Sequence, residues 1–334
     1  MALESHKERP AVSVVIPNWN GRRWLEGCLA SVAEQTLAPD EVVVVDNGST
    51  DGSLEYLRCD HPRVRVVELA YNSGFARAAN LGLDAASGEL VALLNNDVRL
   101  SPTWLETIVG AFWREPRVAC VACKILELGD PSIVYDAGDI LRRDGVCEQR
   151  GRFCADDGRW DQPGEVFGAC AAAAVYRREA VLQTGGFDER YFAYLEDVEL
   201  ALRLRLAGWR CLYVPAVAWH AGEGSSHRLR GGHHRLVARN TLLLVAKAFP
   251  LRWLPLVLYR QLGWGWHAVR ERRLRSHLSG LLAALPLLPS MLRERRRAAG
   301  SATLPISVVI PPRSFRGRRA ADHPAGRSSR ATAR

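Results

Sequence analysis

The residues of this chain that could do chemistry on a charged ligand stand where apolar runs end. Val91-Ala-Leu-Leu94 gives way to Asn95, Asn96 and Asp97, three side chains that a core would not accept unpaired. A carboxylate beside two amides at a strand's carboxyl end suits a hard cation carrying a diphosphate. The same residues would also suit a turn capping the helix that begins near Ser101-Pro102. Asp46 closes the run Glu41-Val-Val-Val-Val-Asp46 in the same manner. Its carboxylate either reads a nucleobase or ribose or forms a turn with Asn47-Gly48. Further on, Glu196 and Asp197 open a helical pattern of Val198, Leu200, Ala201, Leu204 and Leu206 that stops at Gly208-Trp209. Carboxylates at a helix amino end are ordinary caps. His220 ends the run that starts at Tyr213, either as a satisfied core or surface residue or as a ligand.

An alternating series of strands and helices has to carry these positions. Residues 12–16 form a β-branched run closed by the loop Pro17-Asn18-Trp19-Asn20-Gly21, and Trp24, Leu25, Cys28, Leu29 and Val32 follow at helical spacing. After the 41–46 strand, Asn47-Gly-Ser-Thr-Asp51-Gly is a run of turn formers ahead of another helix. Residues 64–69 make a third strand, and the small residues between Asn72 and Gly82 lead into a third helix while allowing backbone to approach a ligand closely. Strand, helix, strand, helix is the start of a doubly wound α/β fold. The stretch 130–164 is rich in Gly, Asp and Arg and reads as hairpins or loops.

Four of these stretches in order resemble successive blocks of glycosyltransferase family 2, most like its bacterial rhamnosyltransferase branch. They are Ser13-Val-Val-Ile-Pro17-Asn18-Trp-Asn20, Val44-Val-Asp46-Asn47-Gly-Ser-Thr-Asp51, Asn72-Ser-Gly74-Phe75-Ala-Arg-Ala-Ala-Asn80 and Leu94-Asn95-Asn96-Asp97. A fifth block lies in Glu196-Asp197, and the likeness runs from Val12 to about Pro250. The resemblance implies a GT-A-like mixed, mostly parallel sheet flanked by helices, and inverting transfer from a nucleoside-diphosphate sugar, plausibly of rhamnose or another hexose, to a glycan or lipid-linked acceptor in envelope polysaccharide synthesis. It implies nucleotide-sugar contacts by Pro17, Asn18, Asn20, Asp46, Asn47, Asn72, Gly74, Phe75, Asn80, Asn95 and Asn96. It makes Asp197 the catalytic base, with Glu196 beside it, and places a divalent cation, Mg²⁺ or Mn²⁺, at Asp97 and His220. The aspartate-any-aspartate motif of the wider family reads Asn95-Asn96-Asp97 here, which leaves Asp97 as its charged metal ligand. In such a family the 130–164 stretch helps to hold the acceptor. The chemistry agrees, since a carboxylate must take the attacking hydroxyl's proton and a cation must neutralise the leaving diphosphate. Two alternatives remain at this point: a nucleotidyltransferase making activated sugars, and a catalytically silent sugar-nucleotide-binding scaffold.

The net charge of +9 is unevenly spread. Residues 251–334 hold 17 Arg, no Lys and 3 acidic side chains, which leaves the first 250 residues with 28 basic against 33 acidic. No nucleic-acid-binding motif accompanies the basic tail, so no nucleic-acid partner is expected. Apolar runs between residues 242 and 292 are each too short to span a bilayer and alternate with arginines, so an interfacial anchor on an anionic membrane surface is expected. Burial of these helices against the body is the rival reading. Residues 1–10 are polar, so the protein is expected in the cytoplasm, peripheral on the inner face of the cell membrane. Eight scattered cysteines fit a reducing compartment rather than a disulfide scaffold or zinc ribbon.

The expected organisation is an N-terminal lead at 1–11 and a transferase domain at 12–240, split into a nucleotide-binding half (12–100) and an acceptor and catalytic half (101–240). A helical membrane-associated extension at 241–300 and a disordered basic tail at 301–334 follow. Within that tail Ile306-Ser-Val-Val-Ile-Pro311 echoes Val12-Ser-Val-Val-Ile-Pro17 and is expected to be a strand-like remnant of a second domain.

Overall fold

The computed structural model describes residues 9–222 and 232–312. Its first half follows directly from the β-branched runs. β1 (Val12–Asn18), β2 (Glu41–Asn47), β3 (Arg65–Leu69) and β4 (Leu90–Leu94) alternate with helices α1 (Arg22–Ala33), α2 (Ser53–Asp60) and α3 (Phe75–Ala85). The strands pair in parallel in the order β4-β1-β2-β3. Every residue of β4 is buried, as expected for a parallel strand covered on both faces. The polar residues that end β1, β2 and β4 therefore arrive at one edge of the sheet.

The second half extends the sheet less regularly. β5 (Val98–Leu100) precedes α4 (Trp104–Arg114), whose Trp104, Leu105, Ile108, Val109 and Phe112 form one buried stripe. β6 (Val118–Glu127) carries Cys120 and Cys123 as buried free thiols. The stretch expected to be hairpins or loops contains the short strands β7 (Val134–Asp136), β8 (Asp139–Leu141), β9 (Cys147–Gln149) and β10 (Gly164–Val166), of which β8 and β9 form a separate hairpin. β11 (Ala173–Arg177), α5 (Arg178–Gln183), α6 (Glu196–Leu206) and β12 (Arg210–His220) complete the body. The main sheet runs β10-β12-β6-β11-β4-β1-β2-β3, with β5 on β12 and β7 on β6. β11 is antiparallel to β4 and β6, and β12 is parallel to β6, so β1 to β4, β6 and β12 share one direction. This is the mixed, mostly parallel, helix-flanked sheet expected.

Beyond the sheet come α7 (Gly232–Ala248), α8 (Leu254–Arg270), α9 (Leu274–Ala284), α10 (Leu288–Ser301) and the single turn α11 (Ile306–Val309). The border expected at residue 240 falls inside α7. Among the described residues no helix is long and apolar enough to cross a membrane.

The expectation for the tail needs correction. The 306–311 echo is helical rather than a strand, and residues 303–310 are docked rather than disordered: Thr303 and Leu304 donate to the Leu206 carbonyl at 2.8 and 3.0 Å, and Arg143 donates to Ile310 O and Ser307 O at 2.8 and 3.1 Å. Pro305 caps the turn, and Val309 and Ile310 are buried in a cluster with Leu141 and Trp253. Packing overrides β-propensity because a short β-branched segment without a strand partner gains more by burying two side chains in one helical turn. Residues 313–334 and the Gly224-Ser-Ser-His227 stretch lie outside the described residues.

Candidate active site

The strand ends converge on a cavity of about 420 Å³, a size suited to a small ligand. Its first wall is the loop region after β1, β2 and β4, and there amides hold one another. Asn96 Nδ2 donates to Asn18 Oδ1 at 2.8 Å, and Asn18 Nδ2 donates to Asp46 Oδ1 at 3.0 Å. Gly21 makes this approach possible, because a Cβ there would lie 1.9 Å from Asn96 Nδ2. Asn47 donates to Asn72 Oδ1 and Gly74 O, both at 3.1 Å, and accepts from the Ser73 backbone at 2.8 Å, fixing the 72–74 loop. Gly74 sits at φ +95°, and a Cβ there would strike the Phe192 ring at 2.6 Å.

Of the residues expected to bind nucleotide sugar, Pro17, Asn18, Asn47, Asn72, Phe75, Asn95 and Asn96 line the cavity. Asp46 is not among the lining residues; its carboxylate accepts from Asn18 Nδ2 and from Ser49 N, both at 3.0 Å, and so braces the wall. Asn20 is likewise occupied, accepting from Thr50 N at 2.7 Å, and Gly74 contributes backbone geometry. Asn80 is displaced altogether. Its amide accepts from Phe187 N at 2.8 Å and donates to Phe187 O at 2.9 Å, which ties α3 to the Gly186–Phe187 turn.

Asp97 and His220 meet at the end of β12, where His220 pairs with Val98. The Asp97 Oδ1 to His220 Nε2 distance is 3.1 Å, and Asn95 Nδ2 lies 3.3 Å from the same nitrogen. Both side chains are buried and line the cavity, yet Asp97 Oδ2 has no hydrogen-bond partner. A buried carboxylate oxygen left unsatisfied in this way fits a cation ligand. No group of three or more His, Cys, Asp or Glu able to hold a metal exists among the described residues, so Asp97 and His220 would hold a cation only with help from ligand oxygens and water, as Mg²⁺ commonly requires.

The opposite wall is the amino end of α6 with the β7–β9 insertion. Glu196 is 5% exposed and Glu196 Oε2 has no partner. Asp197, partly exposed within the cavity, accepts from Ala171 N at 3.0 Å and from Val198 N at 2.8 Å. Burial raises both carboxyls above the ordinary range, with Asp197 adding to the shift of Glu196 and the two backbone N–H groups opposing that of Asp197. The loop leading to them is strained: Phe192, Tyr194 and Leu195 all have φ between 65° and 71°, a region that side-chain-bearing residues rarely occupy. Asn240 of α7, fully buried, holds it by donating to the carbonyls of Tyr191, Ala193 and Tyr194 at 3.0, 2.9 and 2.6 Å.

Sequence reasoning missed three contributors. Asn240 was legible as a polar residue on the buried stripe between Leu236 and Leu244. Asp139, which lines the cavity, gave no signal inside a Gly- and Asp-rich stretch. Trp264 reaches the cavity from α8, and a tryptophan in an apolar helix reads only as core. The cavity thus carries Asp97, Asp139, Glu196 and Asp197, while no Lys or Arg lines it among the described residues.

A profile described as Glycosyl transferase family 2 matches residues 13–184. An N-acetylglucosaminyl-diphospho-decaprenol L-rhamnosyltransferase of Mycobacterium tuberculosis is 32% identical over 301 residues, covering 82% of this chain and 92% of that protein. Among solved structures, a mannosyltransferase of Pyrobaculum calidifontis in complex with GDP-Man and Mn²⁺ superposes with a TM-score of 0.54 at 20% identity, over 88% of this chain and 86% of that one. GalNAc-T7 with UDP, GalNAc and Mn²⁺ gives 0.59 at 18% identity, over 72% of this chain and 48% of that one. These two likenesses show a GT-A-like fold, and the sequence matches show that the chain belongs to glycosyl transferase family 2 and is a glycosyltransferase.

Proposed function

We propose that the protein transfers rhamnose or another hexose, with inversion, from a nucleoside-diphosphate donor to a glycan or lipid-linked acceptor during envelope polysaccharide synthesis. The observation that carries this reading is Asp97, whose buried Oδ2 has no partner beside His220 in a cavity that no described Lys or Arg lines, so a diphosphate there needs a cation to accompany it. Asp97 and His220 are the residues that would hold Mg²⁺ or Mn²⁺. When bound, the ion supplies Lewis-acid neutralisation of the departing diphosphate.

The chain's own groups do the rest. The amide wall of Asn18, Asn47 and Asn96 gives the donor a rigid seat at the strand ends. Asp197 takes the proton from the acceptor hydroxyl as that oxygen bonds to the anomeric carbon and the bond from this carbon to the diphosphate breaks. Glu196 lies buried beside it with Oε2 unpartnered. The acceptor class is supported by the M. tuberculosis relative, whose name specifies a diphospho-decaprenol acceptor.

We further place the enzyme in the cytoplasm, peripheral on the inner face of the cell membrane. α8 supports this by having two apolar faces: Trp264 turns to the cavity, while Tyr259, Leu262 and Trp266 are 79, 76 and 68% exposed on the other side. Exposed Arg252, Arg270, Arg272 and Arg275 flank that face, the composition of an interfacial anchor for anionic lipid.

Calorimetric titration of a panel of nucleoside diphosphates and their sugars, with and without Mn²⁺, tests the donor site. Metal-dependent binding of one nucleoside diphosphate that disappears in Asp97→Ala is expected. Absence of binding to the folded wild type would overturn the reading.

A further inference from the structure

Asp139 has no task in the reaction as described, and its setting is costly. It is 3% exposed, it lines the cavity, and Asp139 Oδ2 has no hydrogen-bond partner. An unpartnered buried carboxyl oxygen destabilises a fold, so such a group persists where a ligand satisfies it. The surroundings are built for that oxygen. Asp139 N donates to Gly168 O at 3.0 Å, and a Cβ on Gly168 would stand 3.5 Å from Asp139 Oδ2 and 2.8 Å from the Ala201 Cβ. Glycine at 168 therefore lets its own segment, which is bonded to Asp139 N, pack closely against Ala201 of α6.

Its backbone partners place it beside the base: Gly168 O accepts from Asp139 N at 3.0 Å, and three residues on Ala171 N donates to Asp197 Oδ2 at 3.0 Å. Burial first, then Asp136, Asp197, Cys120 and Glu196, hold the Asp139 carboxyl well above the usual carboxylate range. A neutral carboxylic acid donates through its O–H and accepts through its carbonyl, so it can engage both functions of a sugar hydroxyl. A second carboxylate beside the base would only repel charge; a neutral acid there reads a hydroxyl.

We propose that Asp139 is a positioning residue that binds a second hydroxyl of the acceptor sugar through its unpartnered Oδ2, and so decides which hydroxyl is presented to Asp197. The proposal rests on the transferase reading above. It assigns to the β7–β9 insertion one residue with a defined partner, the hydroxyl next to the one that attacks.

The test compares wild type, Asp139→Ala and Asp139→Asn. The acceptor probe is N-acetylglucosaminyl diphosphate on a short polyprenyl chain, and the donor is the nucleoside-diphosphate sugar that binds in calorimetry. Asp139→Ala is expected to raise the acceptor KM by about tenfold, to give mixed linkages in the product, and to leave donor hydrolysis by water and nucleoside diphosphate binding unchanged. Asp139→Asn, which can still donate and accept, is expected to restore single-linkage product. Unchanged acceptor KM and linkage in Asp139→Ala would overturn the proposal. So would a parallel fall in donor hydrolysis and nucleotide binding, which would make Asp139 a structural residue. Failure of the transferase reading shows differently, as absent nucleotide binding in the wild type, and takes this proposal with it.

Discussion

On the β1–β4 wall of the cavity, Asn96 donates to Asn18, Asn18 to Asp46, and Asn47 to Asn72 and Gly74 O, whereas on the α6 wall Glu196 and Asp139 each keep a buried oxygen without a partner. Satisfied amides fix the shape of the first wall before a ligand arrives, which lowers the entropy lost on binding. Unsatisfied carboxyls on the second wall keep capacity for groups the ligand brings, at a cost to stability. The difference separates a seat from a working surface. It also explains why removing a residue should have different consequences on the two sides.

The largest effect is expected at Asp197. Asp197→Asn should lower kcat by about 10²- to 10⁴-fold, the usual contribution of a general base, with nucleoside diphosphate binding preserved. Calorimetry beside steady-state kinetics checks this, and a joint loss would erase the distinction between the walls. The wild type should also show a displaced acid limb. Burial raises the Asp197 carboxyl above its ordinary value; the base works only when deprotonated, so turnover is full above that raised pKa and falls as pH drops through it. The limb should therefore lie above the pH near 4 typical of a free carboxyl, and a limb at the ordinary position would contradict the buried setting.

A smaller effect is expected behind the working wall. Asn240→Ala removes the amide shared among three carbonyls, of which Tyr191 O keeps Arg239 as a donor, and should cost about 1–3 kcal/mol of stability, seen as a lower Tm, with kcat reduced and donor binding retained. If donor binding fell as far as kcat, the strained loop would belong to both walls. The smallest effect in solution is expected from Leu262→Glu combined with Trp266→Glu on the outward face of α8. Turnover of a water-soluble acceptor should be unchanged, while co-sedimentation with phosphatidylglycerol vesicles is lost. Vesicle binding that survives would remove the membrane from the account of this face.

Legibility followed regularity. β1 to β4 and their terminal Asn18, Asn47 and Asp97 were readable because buried parallel strands leave continuous β-branched runs, and a polar residue at the end of such a run is conspicuous. Asp46 was found but its direction was not, since the run shows where a side chain sits and not that Asn18 and Ser49 consume it. Asn80 was carried in by resemblance, yet long-range packing with Phe187 decides its partner. Asp139 and the 306–309 turn were illegible for a shared reason: each is set by contacts with distant segments, Gly168 for one and Leu141 and Trp253 for the other.

The clamp made by Asn240 has a consequence for the order in which the protein becomes competent during synthesis. β12, the last strand of the sheet, ends at His220, and the clamp comes later in the chain. A ribosome that has released residues up to 220 has delivered every described strand together with Glu196 and Asp197, but not the Asn240 amide that bonds the carbonyls of Tyr191, Ala193 and Tyr194. The Arg-rich helices emerge directly after the clamp. The support of the strained loop and the segment proposed to meet the membrane are therefore completed in close succession.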